Sequence, residues 1–481
     1  MRLATGLVCL ALVVVCALQA KATGSTYSRT ANYQNEIVIR CPDKKKATIQ
    51  TLQAHSDVWH VGKDTIDVRL SKKTFARVQN YFPKCHIVVA NVESFVQQAE
   101  VQMFRMAEEQ AWVQEVMAET IPKCGGLKQC EAALEEWEAD QQMSLSFFEQ
   151  YHPYEDIKSF YKTLSETHAN LVTYVSSIGK TAEGRDMPAV HITASKNPNR
   201  KRFYMQCQLH AREWITGAVC MYIANYLATE YKKDSRVKNL LDNIEFVMVP
   251  IVNPDGIVYT WEHDRLWRKN RKQNLYSPSC PGVDINRNFP LAFLHKSIGH
   301  ACEEDYPGFN AGSEHETQHI MNFFRSNAPI VGSIDWHSYS QLILRPYGYT
   351  NASAPDESFM RSISNGMADK IHSVHGQYYT PETSNKPYYA YGVSIDWVYS
   401  NDAASTNKGY RAASICIELR DTGQYGFLLP ADQIVPTAEE VLPAVLYYAE
   451  AMLNHPLIYN KESQLKEPVF DAKKHHSRNG L

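Results

Sequence analysis

Two things are scarce in this chain, and each absence narrows what it can be. There is no excess of charge of either sign: 49 Lys and Arg against 52 Asp and Glu leave a formal net charge of −3 over 481 residues. No basic face is implied, so nucleic acid is not an expected partner. Long apolar runs are also missing. The one concentrated run, residues 7–18, follows Met1-Arg2 and precedes the small-x-small sequence Ala20-Lys21-Ala22. It is too short to span a bilayer and reads as a secretory signal peptide over residues 1–22. No later stretch is apolar enough to serve as a membrane anchor. A secreted, extracellular chain is expected.

Its length is too great for one ordinary domain and enough for a large core with a smaller unit attached. Of 11 cysteines, Cys9 and Cys16 leave with the signal, and nine remain in an oxidising compartment. Cys41/Cys85, Cys124/Cys130 and Cys280/Cys302 fall in separate segments as candidate local pairs. Cys207, Cys220 and Cys416 sit in apolar surroundings and read as buried thiols, with one pairing among them left open. Asn351-Ala352-Ser353 is a glycosylation sequon, which suits a surface loop.

Residues 23–100 read as a small α+β unit. Strands are expected at 36–40, 65–70 and 86–90, with Ser71 capping a helix that carries Phe75, Val78 and Phe82. Nothing in this unit looks like a metal cluster or a nucleophile pair. Residues 101–143 turn helical and acidic, broken at Pro122-Lys123-Cys124-Gly125-Gly126. That segment is either a solvated helical hairpin or a processing site. From 144 to 458, amphipathic helices alternate with short buried runs. A helix is expected at 154–169 and another at 215–231. Strands are expected at 202–209, 244–252, 329–336 and 414–419. Such alternation predicts an α/β sheet, largely parallel and covered on both faces, with its site outside the carboxyl ends of the strands. Asn253-Pro254-Asp255-Gly256 reads as a turn. Residues 459–481 form a polar tail, expected to be disordered from Lys461 onward.

His210 and Glu213 stand three residues apart where a strand gives way to a helix. Catalytic zinc takes three His or carboxylate ligands and keeps one open position. A close His-x-x-Glu pair supplies two, and a distant residue can supply the third. Seven stretches in register give this pair its context: His210-Ala-Arg-Glu213-Trp, Asn253-Pro-Asp-Gly256, Leu266-Trp-Arg268-Lys-Asn-Arg271, Val283-Asp284-Ile-Asn286-Arg287-Asn288, His337-Ser338-Tyr339, Ser394-Ile395-Asp396-Trp397 and Glu418-Leu-Arg-Asp-Thr-Gly423. In that order they resemble the zinc metallocarboxypeptidases. Residues 144–458 resemble pancreatic carboxypeptidase A and its relatives, and residues 25–100 resemble their activation propeptide more loosely.

The resemblance implies an eight-stranded mixed sheet flanked by helices, one Zn2+ per catalytic domain, and release of single residues from free C-termini. By resemblance, His210, Glu213 and His337 match the zinc ligands, and Asp284 matches the carboxylate that orients the first histidine. Glu418 matches the general base; its other reading is an ion pair with Arg420, two residues along. Arg268 matches the cation that polarises the scissile carbonyl. Asn286, Arg287 and Tyr388 match the clamp for the substrate's terminal carboxylate. Arg212, Ser338 and Tyr339 match residues along the substrate path. Ile395 matches the floor of the pocket for the substrate's last side chain. With Thr383, Pro387, Ala390 and Cys416 uncharged around it and Gly348 adding room, preference for aromatic or aliphatic residues is implied. Expected partners are peptide or protein C-termini and an activating trypsin-like protease, with the enzyme itself a monomer.

The longer 101–143 segment and the thiol of Cys416 depart from the family's pattern. Two other readings stand beside the leading one. One is a silent relative that binds C-termini without cutting, which intact ligands and an intact Glu418 argue against. The other is a zinc amidase with another substrate, which the Arg287–Tyr388 pairing and the uncharged pocket argue against.

Overall fold

The computed structural model describes residues 31–42, 56–61, 65–80, 83–100, 145–296, 300–407, 409–454, 468 and 470. The signal-peptide reading, the 101–143 segment and the Cys124/Cys130 pair fall outside them.

The first strands are β1 (Glu36–Cys41), β2 (Asp57–Val61), β3 (Ile66–Ser71) and β4 (His86–Val89). They pair antiparallel in the order β2-β3-β1-β4. Alternation decides which side chains face which way. Ile37, Ile39 and Cys41 from β1 pack with Ile66, Val68 and Leu70 of β3 under one face. Val38 and Trp59 point to the other, where they meet Tyr339, Phe427 and Leu428 of the larger sheet's loops. Ser71 caps helix Lys72–Val78 by accepting from the Thr74 N–H, as its sequence position suggests. A disulfide joins Cys41 to Cys85, one of the local pairs expected from the sequence.

The second sheet holds β5 (Val172–Val175), β6 (Ala189–Ile192), β7 (Lys201–Gln206), β8 (Ile244–Val249), β9 (Ile330–Ser338), β10 (Leu342–Arg345), β11 (Thr380–Thr383) and β12 (Ala413–Leu419). Their order is β11-β10-β12-β9-β7-β8-β6-β5. The central four run parallel, while β10 and β6 attach antiparallel, so the sheet is mixed. All residues of β8 and β9 are buried, which fits strands covered on both faces. Helices Trp214–Glu230, Glu357–His375 and Ile434–Asn454 pack one face, and helices His315–Ser326 and Ser394–Val398 the other. Helix Trp214–Glu230 sits between the sheet and other helices, so its apolar residues run right round it. The second expected local pair also forms: Cys280 is bonded to Cys302, and the disulfide closes the loop that carries Asp284, Asn286 and Arg287.

Four sequence expectations change. The strand expected at 202–209 ends at Gln206, which leaves His210 in a loop. Asn253-Pro254-Asp255-Gly256 is not a turn but the start of helix Pro254–Glu262: the Asn253 side chain accepts from the Gly256 N–H, and Pro254 takes the first turn, where its missing N–H is harmless. Cys207 and Cys220 are not thiols but a disulfide, because the helix folds back over the end of β7. Pro468 and Phe470, in the tail expected to be disordered, lie in place against tyrosines.

Candidate active site

Residues 207–213 lie between β7 and helix Trp214–Glu230 and are tied back to the helix by the Cys207–Cys220 bond. Gln208 takes a left-handed backbone (φ 52°), and its side chain lies over Gly217, where a Cβ would come within 2.3 Å of it. Asn253 holds this loop from the side. Its amide donates to the carbonyls of Leu209 at 3.3 Å and Lys269 at 3.0 Å, tying the His210 loop to the segment that carries Arg268. The Ala211 N–H donates to the Arg268 carbonyl at 3.0 Å. Glu213 immediately precedes the helix, where a negative charge is favoured by the helix dipole.

Three buried donors converge. His210 Nδ1 lies 2.7 Å from Glu213 Oε1, His337 Nδ1 lies 3.0 Å from Glu213 Oε2, and the two Nδ1 atoms lie 3.1 Å apart. Each outer ring nitrogen meets a carboxylate: His210 Nε2 is 3.0 Å from Asp284 Oδ1, and His337 Nε2 is 3.2 Å from Asp335 Oδ2. The inner nitrogens therefore turn their lone pairs toward each other and toward a carboxylate, an arrangement that suits a divalent cation. Burial opposes charge on Glu213, but His210 and His337 outweigh it and hold the carboxyl below its usual range. Burial likewise opposes charge on His337, yet Asp335 and Glu213 push its pKa well above 6.5. Cation binding displaces such a proton.

Asp284 does three things at once. It caps the short 3-10 turn Ile285–Arg287 through the Asn286 N–H, accepts from His210, and accepts from Arg268 at 2.8 and 3.1 Å. Burial would raise its pKa, but Arg268 and His210 keep it ionised well below the ordinary value. Glu418 lies in register with His337 on the neighbouring parallel strand and lines the same cleft. Burial pushes its carboxyl up to about 8. The alternative pairing with Arg420 does not form. The strand ends at Leu419, and Arg420 bonds to Glu440 and Gln433 instead.

Arg287 donates to the Tyr388 hydroxyl at 3.0 Å and to the Asn286 carbonyl at 2.7 Å. Both side chains line the cleft, with Asn286, Ser338, Tyr339 and Arg268. Beyond them Leu344, Ala390, Val393, Ile395 and Cys416 pack into an apolar pocket, and Pro387 also lines the cleft. Cys416 is a buried free thiol. Ser384, rather than Thr383, lines the cleft. Gly348 adds no room: a Cβ there would meet the Ala390 carbonyl and Ser384 at 3.2 Å.

Arg212 does not stand open on a substrate path. Its guanidinium is buried, lies 4.1 Å from the Phe427 ring centre and donates twice to Asp57 of β2, at 2.8 and 3.1 Å. Trp59 packs edge-on to Phe427, and His60 stacks on Tyr339 with its Nδ1 2.5 Å from Ser340 Oγ. Ser56, Val58, Trp59, His60 and Val61 thus line the cleft alongside the ligand cluster. The first unit, which looked chemically silent in sequence, contributes part of the site's wall. Asp335 was also missed, although its place two residues before His337 on one strand puts both on the same face.

A buried set of two histidines and one glutamate, with carboxylates behind both imidazoles, is the ligand sphere of a mononuclear zinc hydrolase. The comparisons narrow this. The profile of the zinc carboxypeptidase family matches residues 157–444. Carboxypeptidase A4 of Mus musculus is 37% identical over 307 residues, covering 63% of this chain and 71% of that protein. Metallocarboxypeptidase A of Trichophyton tonsurans is 37% identical over 330 residues, covering 67% of this chain and 76% of that protein. The crystal structure of thrombin activatable fibrinolysis inhibitor matches with a TM-score of 0.70 at 26% identity, covering 88% of this chain and all (100%) of that one. The carboxypeptidase A of Helicoverpa armigera shares the fold with a TM-score of 0.72 at 23% identity, over 88% of this chain and 98% of that one. This chain belongs to the zinc carboxypeptidase family. It is a metallocarboxypeptidase, a hydrolase of the exopeptidase class with Zn2+ as cofactor.

Proposed function

We propose that this chain is a secreted carboxypeptidase made as a latent precursor, which removes aromatic or aliphatic residues from peptide C-termini. The observation that carries the reading is the cleft itself. The His210–Glu213–His337 cluster, Glu418, Arg268 and the Arg287–Tyr388 pair all line it, and it ends in an uncharged pocket.

Residues 23–100 act as the propeptide, 101–143 as the connecting segment and 144–458 as the catalytic domain. His210, Glu213 and His337 hold the zinc. When bound, the zinc supplies a Lewis acid and an acidified water. Asp284 and Asp335 fix which imidazole nitrogen faces the metal. Arg287, with Asn286 and Tyr388, takes the free carboxylate, and a guanidinium does this with paired bonds that favour a terminus over an internal peptide. Ser338 and Tyr339 flank the peptide. Arg268 faces the carbonyl to be cleaved; burial works against its charge, but Asp284 and Glu213 more than offset this and raise its pKa, so it stays a cation. Glu418 takes a proton from the attacking water and returns it to the leaving amine. Ile395 receives the last side chain against an apolar floor, where an unpartnered ammonium would be desolvated at a cost of several kcal/mol.

Latency follows from β2. Asp57 occupies Arg212 and Trp59 covers Phe427, so the propeptide holds part of the cleft. The test is an assay of the chain before and after limited trypsin treatment, with and without a chelator, on peptides differing only in the last residue. Release of C-terminal Phe only after cleavage, abolished by chelation, is expected. Faster release of Arg than Phe would overturn the specificity, and full activity without cleavage would overturn the latency.

A further inference from the structure

We propose that Phe470 is a positioning residue that braces the loop carrying Tyr388 and thereby sets affinity for the substrate's terminal carboxylate; this rests on the clamp reading of Arg287 and Tyr388. Among the described residues the last helix is Ile434–Asn454. Pro468 and Phe470, well beyond it, lie on a tyrosine cluster. The Phe470 ring centre is 5.4 Å from that of Tyr391 and 6.2 Å from that of Tyr349, the latter edge-on at 88°. The Tyr349 hydroxyl donates to the Pro468 carbonyl at 3.1 Å. Phe470 is the one Phe, Tyr or Trp after Tyr459 in the given sequence, and it falls on this cluster.

Its ring partners are Tyr391, on the loop that carries Tyr388, and Tyr349, on the stretch that supports that loop. Tyr391 is three residues from Tyr388, on the loop that leads from β11 to helix Ser394–Val398. The loop hangs from the end of β10 and the stretch after it by backbone bonds: Ser384 to the Arg345 carbonyl at 2.8 Å, Asn385 to that of Tyr347 at 3.1 Å, and Ala390 to that of Gly348 at 3.1 Å. Tyr349 belongs to the stretch it hangs from. Phe470 therefore bridges the support and the loop, while on the cleft side the Tyr388 hydroxyl accepts from Arg287. A loop braced in its bound shape loses less entropy when ligand arrives, and that gain appears as affinity.

The experiment uses the activated full chain, with mass measurement confirming that residue 470 is retained, and a peptide ending in Phe. Phe470→Ala, and separately a stop codon at Lys461, should raise KM about 3- to 10-fold, the effect of losing one aromatic pair, with kcat and Tm close to those of the unmodified enzyme. Phe470→Tyr should restore KM. In a Tyr388→Phe background, Phe470→Ala should add less than about twofold, because two residues that act through one contact are not additive. Unchanged KM in both tail variants, with the unmodified chain active, overturns this inference alone. A loss in kcat and Tm together, or full additivity with Tyr388→Phe, also overturns it. Failure of the unmodified activated chain to release the C-terminal residue overturns the clamp reading and this inference with it.

Discussion

Asp57 of β2 and Arg212 of the loop after β7 form a buried ion pair, with one carboxylate oxygen 2.8 Å and the other 3.1 Å from the guanidinium. Arg69 lies against the same carboxylate at 3.2 Å, and the Trp59 indole donates to it at 2.8 Å. Burial works against the charge on Asp57, but the two arginines overcome it and keep the carboxyl below its ordinary range. Removing one member of such a pair leaves the other buried and uncompensated, which costs about 3–5 kcal/mol. Asp57→Asn in the uncleaved chain should loosen the propeptide and give activity without proteolysis. The uncleaved variant and the uncleaved parent are compared on the same peptide, and equal silence would count against the pairing as the latch.

If the propeptide contact is the latch, His60 should make it sensitive to acid. Burial lowers its pKa from the ordinary 6.5 to about 4, with Asp67 and Asp421 pulling it up and Arg40 pushing it down. The docked state prefers the neutral ring. Its contribution is therefore complete above about pH 6.5 and is lost as pH falls through about 4. Cleavage of the precursor at a fixed protease dose should quicken across that window, and His60→Gln should flatten the profile. Steeper acid sensitivity in the variant would exclude His60 as the cause.

Glu418→Gln keeps shape and removes the proton acceptor. Turnover of the activated enzyme should fall by about 10²- to 10⁴-fold with zinc content unchanged. Metal analysis and kcat on one preparation decide it; near-normal kcat would remove Glu418 from the base role.

His210→Ala or His337→Ala leaves two of the three converging donors. Zinc affinity should collapse along with activity. Stoichiometric zinc in either purified variant would contradict the ligand assignment.

Ile395→Asp places a carboxylate among Leu344, Ala390, Val393 and Cys416. An ammonium or guanidinium entering that pocket would then find a partner, so kcat/KM should shift from C-terminal Phe toward Lys and Arg. The ratio for paired peptides reads this directly, and an unchanged ratio would move the pocket floor elsewhere.

Much of the fold was legible because central strands and amphipathic helices leave strong patterns. β7, β8, β9 and β12 stand out as apolar runs, whereas β5, β6, β10 and β11 have four residues each, too few for a period to register. The ligand set was legible through the resemblance carried by seven stretches in register, since the close pair His210 and Glu213 alone does not point to His337, and the structure brings the three together. Asp57 and Phe470 were not, because their partners lie 155 residues from one and, for Tyr391, 79 from the other (470 − 391), and only the folded chain brings them together. Cys280 and Cys302 could be paired by their nearness within one segment, and the structure bonds them. Cys207 and Cys220 read as thiols with one pairing left open, because apolar neighbours suit a buried thiol and a buried disulfide equally, and the structure bonds them.

Glu418 and His337 face each other across a ladder of parallel strands, so their spacing is set by the strand separation of about 4.8 Å. Tyr388, Ala390 and Pro387, by contrast, belong to a loop. The proposed proton transfer thus rests on two central strands, and the proposed side-chain choice mostly on residues outside them: Pro387 and Ala390 in the loop, Ile395 in helix Ser394–Val398 and Leu344 on β10, with Cys416 sharing a strand with Glu418. Substitutions at the loop and helix positions can retune which C-terminus is accepted without disturbing the strand spacing between Glu418 and His337. The two properties can drift independently.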